Sequence, residues 1–336
     1  MNTNRGDAYF TEASARLLKL LNIQYPVLQA GMGHVAYGEL AAAVSAAGGL
    51  GVIGTGHMTP PQLRIEIETV RRLTDRPFGV DILFGRATGT DQASTKYSQQ
   101  VEEHIQVCLE TRVPVLISGL GNPLGVIGEA HRLGMTVMSV VGNVRQATQL
   151  ERDGVDSIIA SGQDGGGHVG RVGTMSLVPA VVDAVKIPVV AGGGIADGRG
   201  LVAALALGAA GAWLGTRFIA CTEARGHANY KQRIVEANDE GTVISRALSG
   251  KTVRMIRNKF TDYWAQRESE ILPFPNQLEV TGRAASQLGR IEGDVENGVL
   301  PAGQSVALIH DVQPAAHILH GIVAEAKRTL AAMHSG

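Results

Sequence analysis

The chain has little cysteine, few aromatic residues and almost no net charge, and each shortage closes off a class of function. Cys108 and Cys221 are the only two cysteines among 336 residues. They match no metal-ligand spacing and no disulfide framework, and both lie in apolar segments. They are read as reduced, partly buried thiols of a cytoplasmic protein. Thirty Lys and Arg stand against 31 Asp and Glu, a formal charge of −1. That balance argues against nucleic acid or an anionic membrane surface as partner. No uninterrupted apolar run is long enough to span a bilayer, and the polar residues 1–7 lack the apolar core of a signal peptide. Aromatics make up 4% of the chain, which suits a tightly packed α/β core.

Glycine is abundant, with 43 residues. Short β-like runs at 26–29, 51–53, 78–82, 113–117, 136–140, 157–160, 189–191 and 212–214 alternate with helical patterns at 39–47, 61–73, 96–110, 124–133, 144–152, 177–185 and 198–207. Strands separated by helical crossovers imply βαβ units and a parallel sheet. Eight of them at fairly even spacing predict an α/β chain folded as a closed (β/α)8 barrel. From about residue 222 the rhythm breaks, with charged helical patterns at 230–238 and 251–266. Residues 222–300 are therefore expected to form a mainly helical insertion domain after the eighth strand, and 1–221 with 301–336 to form the barrel. The amphipathic stretch 315–333 is read as the helix that completes it. The basic residues of 251–259 are read as a solvated helix face.

Three glycine turns carry the chemistry. Residues 163–170 read Gln-Asp-Gly-Gly-Gly-His-Val-Gly and follow the sixth strand. Residues 191–198 read Ala-Gly-Gly-Gly-Ile-Ala-Asp-Gly, and Gly215-Thr216 follow the eighth strand. In (β/α)8 enzymes the loops after the seventh and eighth strands often hold phosphate with backbone N–H groups and a helix N-terminus. His168 lies beside them, on the side where barrel active sites form, and an imidazole can take or give a proton near neutrality. Residues 49–54, Gly-Leu-Gly-Val-Ile-Gly, match a dinucleotide fingerprint. They follow a helix and contain a strand, so a tight helix-to-strand turn is the better reading. The remaining histidines are scattered without ligand spacing, and no metal site is read from them. Residues 29–33 (Gln-Ala-Gly-Met-Gly), Asp81 and Ser118 mark further strand ends facing the same cleft.

Residues 29–33, 48–53 (Gly-Gly-Leu-Gly-Val-Ile), 77–80 (Pro-Phe-Gly-Val), 165–170, 191–195, 214–216 and 301–304 (Pro-Ala-Gly-Gln) together resemble the nitronate monooxygenase family, formerly called 2-nitropropane dioxygenases. The resemblance covers nearly the whole chain. It implies an FMN-bearing barrel that oxidises nitronates or nitroalkanes with O2 to a carbonyl compound and nitrite. It also implies roles for particular residues. Gly192, Gly193, Gly194, Gly215 and Thr216 would hold the FMN phosphate. Met32, Ser118, Gly166 and Gly167 would line the flavin, with Gln29, Ala30, Gly31, Asp81, Ser161 and Leu214 completing the cofactor contacts. His168 would be the catalytic base. Asp81 stands where an asparagine is common, Ser161 where a glutamine usually precedes the glycine turn, and Asp164 where a glutamate is more frequent. The family includes FMN-dependent enoyl-acyl-carrier-protein reductases, so hydride transfer from NAD(P)H to an enoyl thioester is the alternative chemistry. A flavin-binding sensor without turnover is the alternative of another class. A homodimer is left open.

Overall fold

The computed structural model describes residues 11–84 and 97–334; residues 1–7 and the expected helix start at Lys96 lie outside them. Eight strands form one parallel sheet: β1 (Val27–Gln29), β2 (Gly51–Gly54), β3 (Phe78–Leu83), β4 (Val115–Leu120), β5 (Thr136–Val141), β6 (Ser157–Ser161), β8 (Val189–Gly192) and β9 (Gly211–Leu214). A two-residue strand, β7 (Gly167–His168), lies between β6 and β8 in sequence. The seventh and eighth barrel strands are therefore β8 and β9. Neighbours pair in the order β1-β9-β8-β6-β5-β4-β3-β2. A parallel bridge from Leu28 to Leu50 brings β1 back to β2. The Gln29 side chain reinforces that closure, accepting from the Val52 N–H and donating to the Val52 carbonyl, each at 3.0 Å.

Strand periodicity sorts the side chains into two cores. Leu28, Val52, Val115, Ile117, Met138, Ile159, Val190 and Trp213 point inward and fill the barrel. Leu17 and Leu21 of the helix Glu12–Leu21 belong to the same cluster and plug the barrel's N-terminal end. The alternate residues, such as Val27, Val80, Leu116, Val137 and Ile158, pack against the surrounding helices. The last helix, Ala315–His334, returns against Gly38–Ala46 and Gly198–Ala206 and completes the helical ring. The Gly-Leu-Gly-Val-Ile-Gly stretch is the turn from Gly38–Ala46 into β2, as its position after a helix implied. The fourth strand starts two residues later than its apolar run and extends to Leu120.

Past β9 lie the helices Ala228–Glu236, Lys259–Ala265 and Arg283–Arg290 and an antiparallel hairpin, β10 (Thr242–Ser245) and β11 (Val253–Ile256). The stretch 251–266 was expected to be one helix with a solvated basic face. Its first half is instead a buried strand, because β11 is paired on both sides. β10 covers one edge and β7 the other, with Val253 opposite His168 and Arg254 opposite Gly167. Ala247, Leu248, Val253, Met255, Phe260, Ile271, Ala285 and Val299 give this region its own small core. Among the described residues no helix is long and apolar enough to cross a membrane. Cys108 and Cys221 are free and buried.

Candidate active site

The C-terminal ends of the barrel strands bring the three glycine turns together. After β8 the chain passes through Gly193 and Gly194 with φ of +96° and +76°, a backbone that side-chain-bearing residues rarely adopt. A Cβ on Gly193 would also lie 2.9 Å from the Gly165 nitrogen and 3.0 Å from the Gly162 carbonyl. The N–H groups of Gly193 and Gly194 have no acceptor among the described residues. Successive free N–H groups on a tight turn make an anion-binding concavity. Beside them, Thr216 Oγ1 accepts the Gly303 N–H at 2.9 Å, which leaves its own proton to donate. Gly215 precedes it, open toward Ala30 and the Met32 sulfur at 3.7 Å.

One element of the expected phosphate site is corrected. The helix Gly198–Ala206 does not offer its N-terminus, because two carboxylates already occupy it. Asp197 caps it by accepting from the Gly200 N–H at 2.9 Å, and Glu325 accepts from the Gly198 N–H at 2.8 Å. The free donors are those of the glycine turn itself and of Gly215-Thr216.

Asp81 sits inside the barrel at its upper rim. Gly79 faces inward, 3.0 Å from Ile117 Cδ1 if it carried a Cβ, and Asp81 follows it on the same face. Gly31 and Gly119 flank the carboxyl so closely that a Cβ on either would collide with it. Asp81 is 8% exposed, and its Oδ1 has no hydrogen-bond partner among the described residues. Burial pushes the carboxyl up to about 8, the Gly119 N–H offsetting a little of that. At neutral pH Asp81 is a neutral acid. An aspartate in the place where an asparagine is common therefore adds no charge at that pH.

His168 projects from β7, between the glycine turn and the β10–β11 hairpin. Its Nε2 shares a 2.8 Å hydrogen bond with Ser249 Oγ, which is wholly buried at the hairpin's tip. The Val169 N–H donates to the Thr252 carbonyl at 3.1 Å, and the Thr252 hydroxyl to the Val169 carbonyl at 2.8 Å, pinning the segment. Burial first, then Lys251 and Arg290, pull the His168 imidazole down to about 4. It is therefore uncharged at neutral pH, with one ring nitrogen carrying a lone pair. Lys251, read from sequence as part of a solvated face, lies over the Phe274 ring at 4.2 Å and acts on this histidine.

The other expected residues reach the same rim by different routes. Met32 and Gly31 head the loop after β1. Gln29 stands at its base with its side-chain amide fully engaged by Val52 and the Ala30 carbonyl, so it braces that loop and leaves contact to Ala30–Met32 backbone. Ser118 is buried and donates to the Gly121 carbonyl at 3.2 Å, shaping the turn after β4. Ser161 ends β6 opposite Gly192, and Leu214 is buried at the end of β9. Gly166 packs on Ala302 and Gly303, which lie 2.7 Å from where its Cβ would stand. Asp164 turns away to accept the Thr174 N–H at 2.6 Å. Burial raises its carboxyl, but the two Thr174 hydrogen bonds win and hold it low.

Four residues at the rim were missed: Ser249, Arg290, His34 and His57. His34 directly follows the Gly-Met-Gly turn, and that adjacency was the one local signal available. Its ring stacks on His57 with centroids 3.8 Å apart and planes 17° from parallel. Arg290 reaches the same loop, donating to the Gly33 carbonyl at 3.2 Å. Among the described residues no group of three or more His, Cys, Asp or Glu is placed to hold a metal.

Comparison with known proteins supports the barrel fold. The chain is 34% identical over 342 residues to a Staphylococcus aureus protein named probable nitronate monooxygenase, covering 92% of this chain and 96% of that one. Among solved structures, FabK from Thermotoga maritima superposes with a TM-score of 0.86 at 40% identity, over 95% of this chain and 98% of that one. Nitroalkane oxidase from Streptomyces ansochromogenes gives 0.84 at 29%, over 95% and 99%. The family model described as nitronate monooxygenase matches residues 14–325. With that model running through every barrel strand and the rim that carries His168, the chain is an oxidoreductase that belongs to the nitronate monooxygenase family.

Proposed function

We propose that this protein binds FMN at the barrel rim and oxidises nitronates and nitroalkanes with O2, releasing nitrite and a carbonyl compound. The observation that carries the reading is a neutral, hydrogen-bonded histidine set beside a turn of unpaired backbone N–H groups. The residues present fit the cofactor. The unpaired N–H groups of Gly193 and Gly194 and the hydroxyl of Thr216 are donors suited to one terminal phosphate. Ala30–Met32, Ser118, Ser161, Gly166 and Gly167 would line the ring. When bound, FMN accepts the electrons of the substrate carbon and passes them to O2.

This chain's own side chains do the proton chemistry. In the tautomer that donates Nε2–H to Ser249 Oγ, His168 keeps the Nδ1 lone pair for the substrate's α-proton. The buried Ser249 fixes the ring's rotation, as the group that orients a catalytic base does elsewhere. With its pKa held near 4, His168 is ready as a base across the neutral range. Asp81, neutral below about pH 8, adds no negative charge to the site while electrons build up there.

Anaerobic mixing of the flavin-loaded protein with a nitronate or with NADPH tests the reading. The nitronate should bleach the flavin band rapidly and NADPH slowly, and mass analysis of the released flavin should give FMN rather than FAD. Rapid bleaching by NADPH alone would transfer the protein to the enoyl-thioester reductases, and no bleaching by either would make it a flavin-binding sensor.

The phosphate cradle has its own test. A carboxylate placed about 5 Å from the phosphate by Gly193→Asp opposes it by on the order of 3 kcal/mol at an effective dielectric near 20, roughly a hundredfold in affinity. Gly193→Ala carries the same backbone strain without the charge. Flavin retention should fall steeply in the aspartate variant and mildly in the alanine variant. Equal loss of flavin and of circular dichroism in both would make the turn purely structural.

A further inference from the structure

Arg290 closes the helix Arg283–Arg290 and is 8% exposed. Its hydrogen bonds are long, 3.2 Å to the Gly33 carbonyl and 3.4 Å to Ser286 Oγ, and its Nε has no acceptor among the described residues. No carboxylate among them compensates it; burial and Tyr230 are what act on it. A guanidinium withdrawn from water without a counter-charge is strongly unfavourable, which is why buried charges are normally paired.

The side chains beside it do not supply that charge. His34 and His57 are stacked on each other, and the Arg290 charge acts on both. Burial, with Arg290 adding to it, lowers His34 to about 4; burial, His34, Arg290 and Arg283 lower His57 to about 3. Both rings are therefore uncharged, and His34 Nε2 is buried without a partner. His34 holds a left-handed backbone, φ 65°, to keep its ring there, and Gly33 leaves room for the His57 ring, 2.9 Å from where a Cβ would lie. One cation, two neutral rings and two unsatisfied nitrogens thus converge beside Met32, at the same rim as His168.

We propose that Arg290, His34 and His57 form a subsite for a planar oxyanion, the nitronate group itself or a carboxylate elsewhere on the same substrate. The inference rests on the reading of the barrel rim as the substrate site. A planar two-oxygen anion matches the guanidinium fork and accepts from its free donors. It delivers the negative charge that the surrounding side chains withhold. The rings' neutrality leaves them able to donate one hydrogen bond each without a second cation to desolvate.

Titration calorimetry on the flavin-loaded protein, with nitrate and acetate as probes and acetamide as the uncharged counterpart, tests the subsite without turnover. Nitrate and acetate should bind and acetamide should not, and Arg290→Gln should weaken the anions at least tenfold. Wild-type protein that binds neither anion, or a folded Arg290→Gln variant that binds them equally well, overturns the proposal. If Arg290→Gln does not fold, the melting temperature of the wild type decides. A rise with nitrate that chloride at equal ionic strength does not reproduce supports the site, and an equal rise with both overturns it.

The variant's KM values separate the two sources of the anion. A KM raised for a carboxylate-free nitronate assigns Arg290 to the nitronate group, whereas one raised for nitro acids alone assigns it to the carboxylate. Because the binding arms need no reaction, a protein that binds nitrate through Arg290 but turns over no nitronate retains the subsite and loses the proposed function.

Discussion

Replacing His168 with asparagine should lower turnover of a neutral nitroalkane by roughly 10²–10⁴-fold, the usual effect of losing a positioned general base. The variant should keep near-normal flavin content, because His168 supplies none of the unpaired donors of the Gly193–Gly194 turn. A pre-formed nitronate has already lost its α-proton and should be oxidised at close to the wild-type rate. Steady-state kinetics on both forms of one substrate make the comparison. Equal loss on the two would remove His168 from the α-proton step and leave it a binding role. The pH profile offers a second reading of the same residue. With the imidazole near 4, kcat/KM for neutral nitroalkane in the wild type should hold down to about pH 5. It should then fall as the ring takes up a proton. An acid limb centred near 6.5 would mean that the ring works in a wetter setting than the buried contact with Ser249 provides.

Asp81→Asn should stabilise the fold, and by an amount that grows with pH. The carboxyl titrates at its ordinary value of 3.8 in the unfolded chain and near 8 in the folded one. Below about pH 4 both states hold the proton and the residue is neutral in each. Between about 4 and 8 the folded chain keeps a proton that the unfolded chain has released, so stability falls as pH rises. Above about 8 both states are ionised and the loss is complete. At 1.36 kcal/mol per pKa unit, the destabilisation reaches roughly 4 kcal/mol at pH 7 as an upper bound. The asparagine variant escapes it, since an amide of the same shape carries no charge to desolvate. Denaturant unfolding at pH 4.5 and pH 8.5 should show a small gain at the first and a large one at the second. A gain of equal size at both would place the effect in packing against Gly31 and Gly119.

The parts of the fold visible in sequence are those set by local chemistry. Eight apolar runs separated by helical patterns, with glycine turns at their ends, are short-range signals, and they led to the barrel and to the rim. The glycine pair at 193–194 was legible because its turn needs a backbone that other residues resist. What stayed hidden was brought to the rim by pairing over long distances. Ser249 meets His168 from 81 residues away, and Arg290 meets Gly33 from 257. Asp197 caps the helix Gly198–Ala206 from the residue just before it, but the second carboxylate on that helix comes from Glu325, 127 residues on. Val253–Ile256 read as part of a helix, with Arg254 interrupting its apolar run. It is a strand because β10 and β7 satisfy its two edges, with Arg254 donating to the Gln163 carbonyl at 3.0 Å.

The pairing of β7 with β11 makes the placement of His168 the joint property of two stretches of chain. A two-residue strand has too few ladder bonds to hold its own geometry, so His168 is in place only while the hairpin is docked. Under the proposed function, proton transfer then depends on the docked hairpin as well as on the barrel. Substitutions in the small core under the hairpin, at Ala247, Phe260 or Ala285, would then change how His168 is held while leaving the residue itself intact.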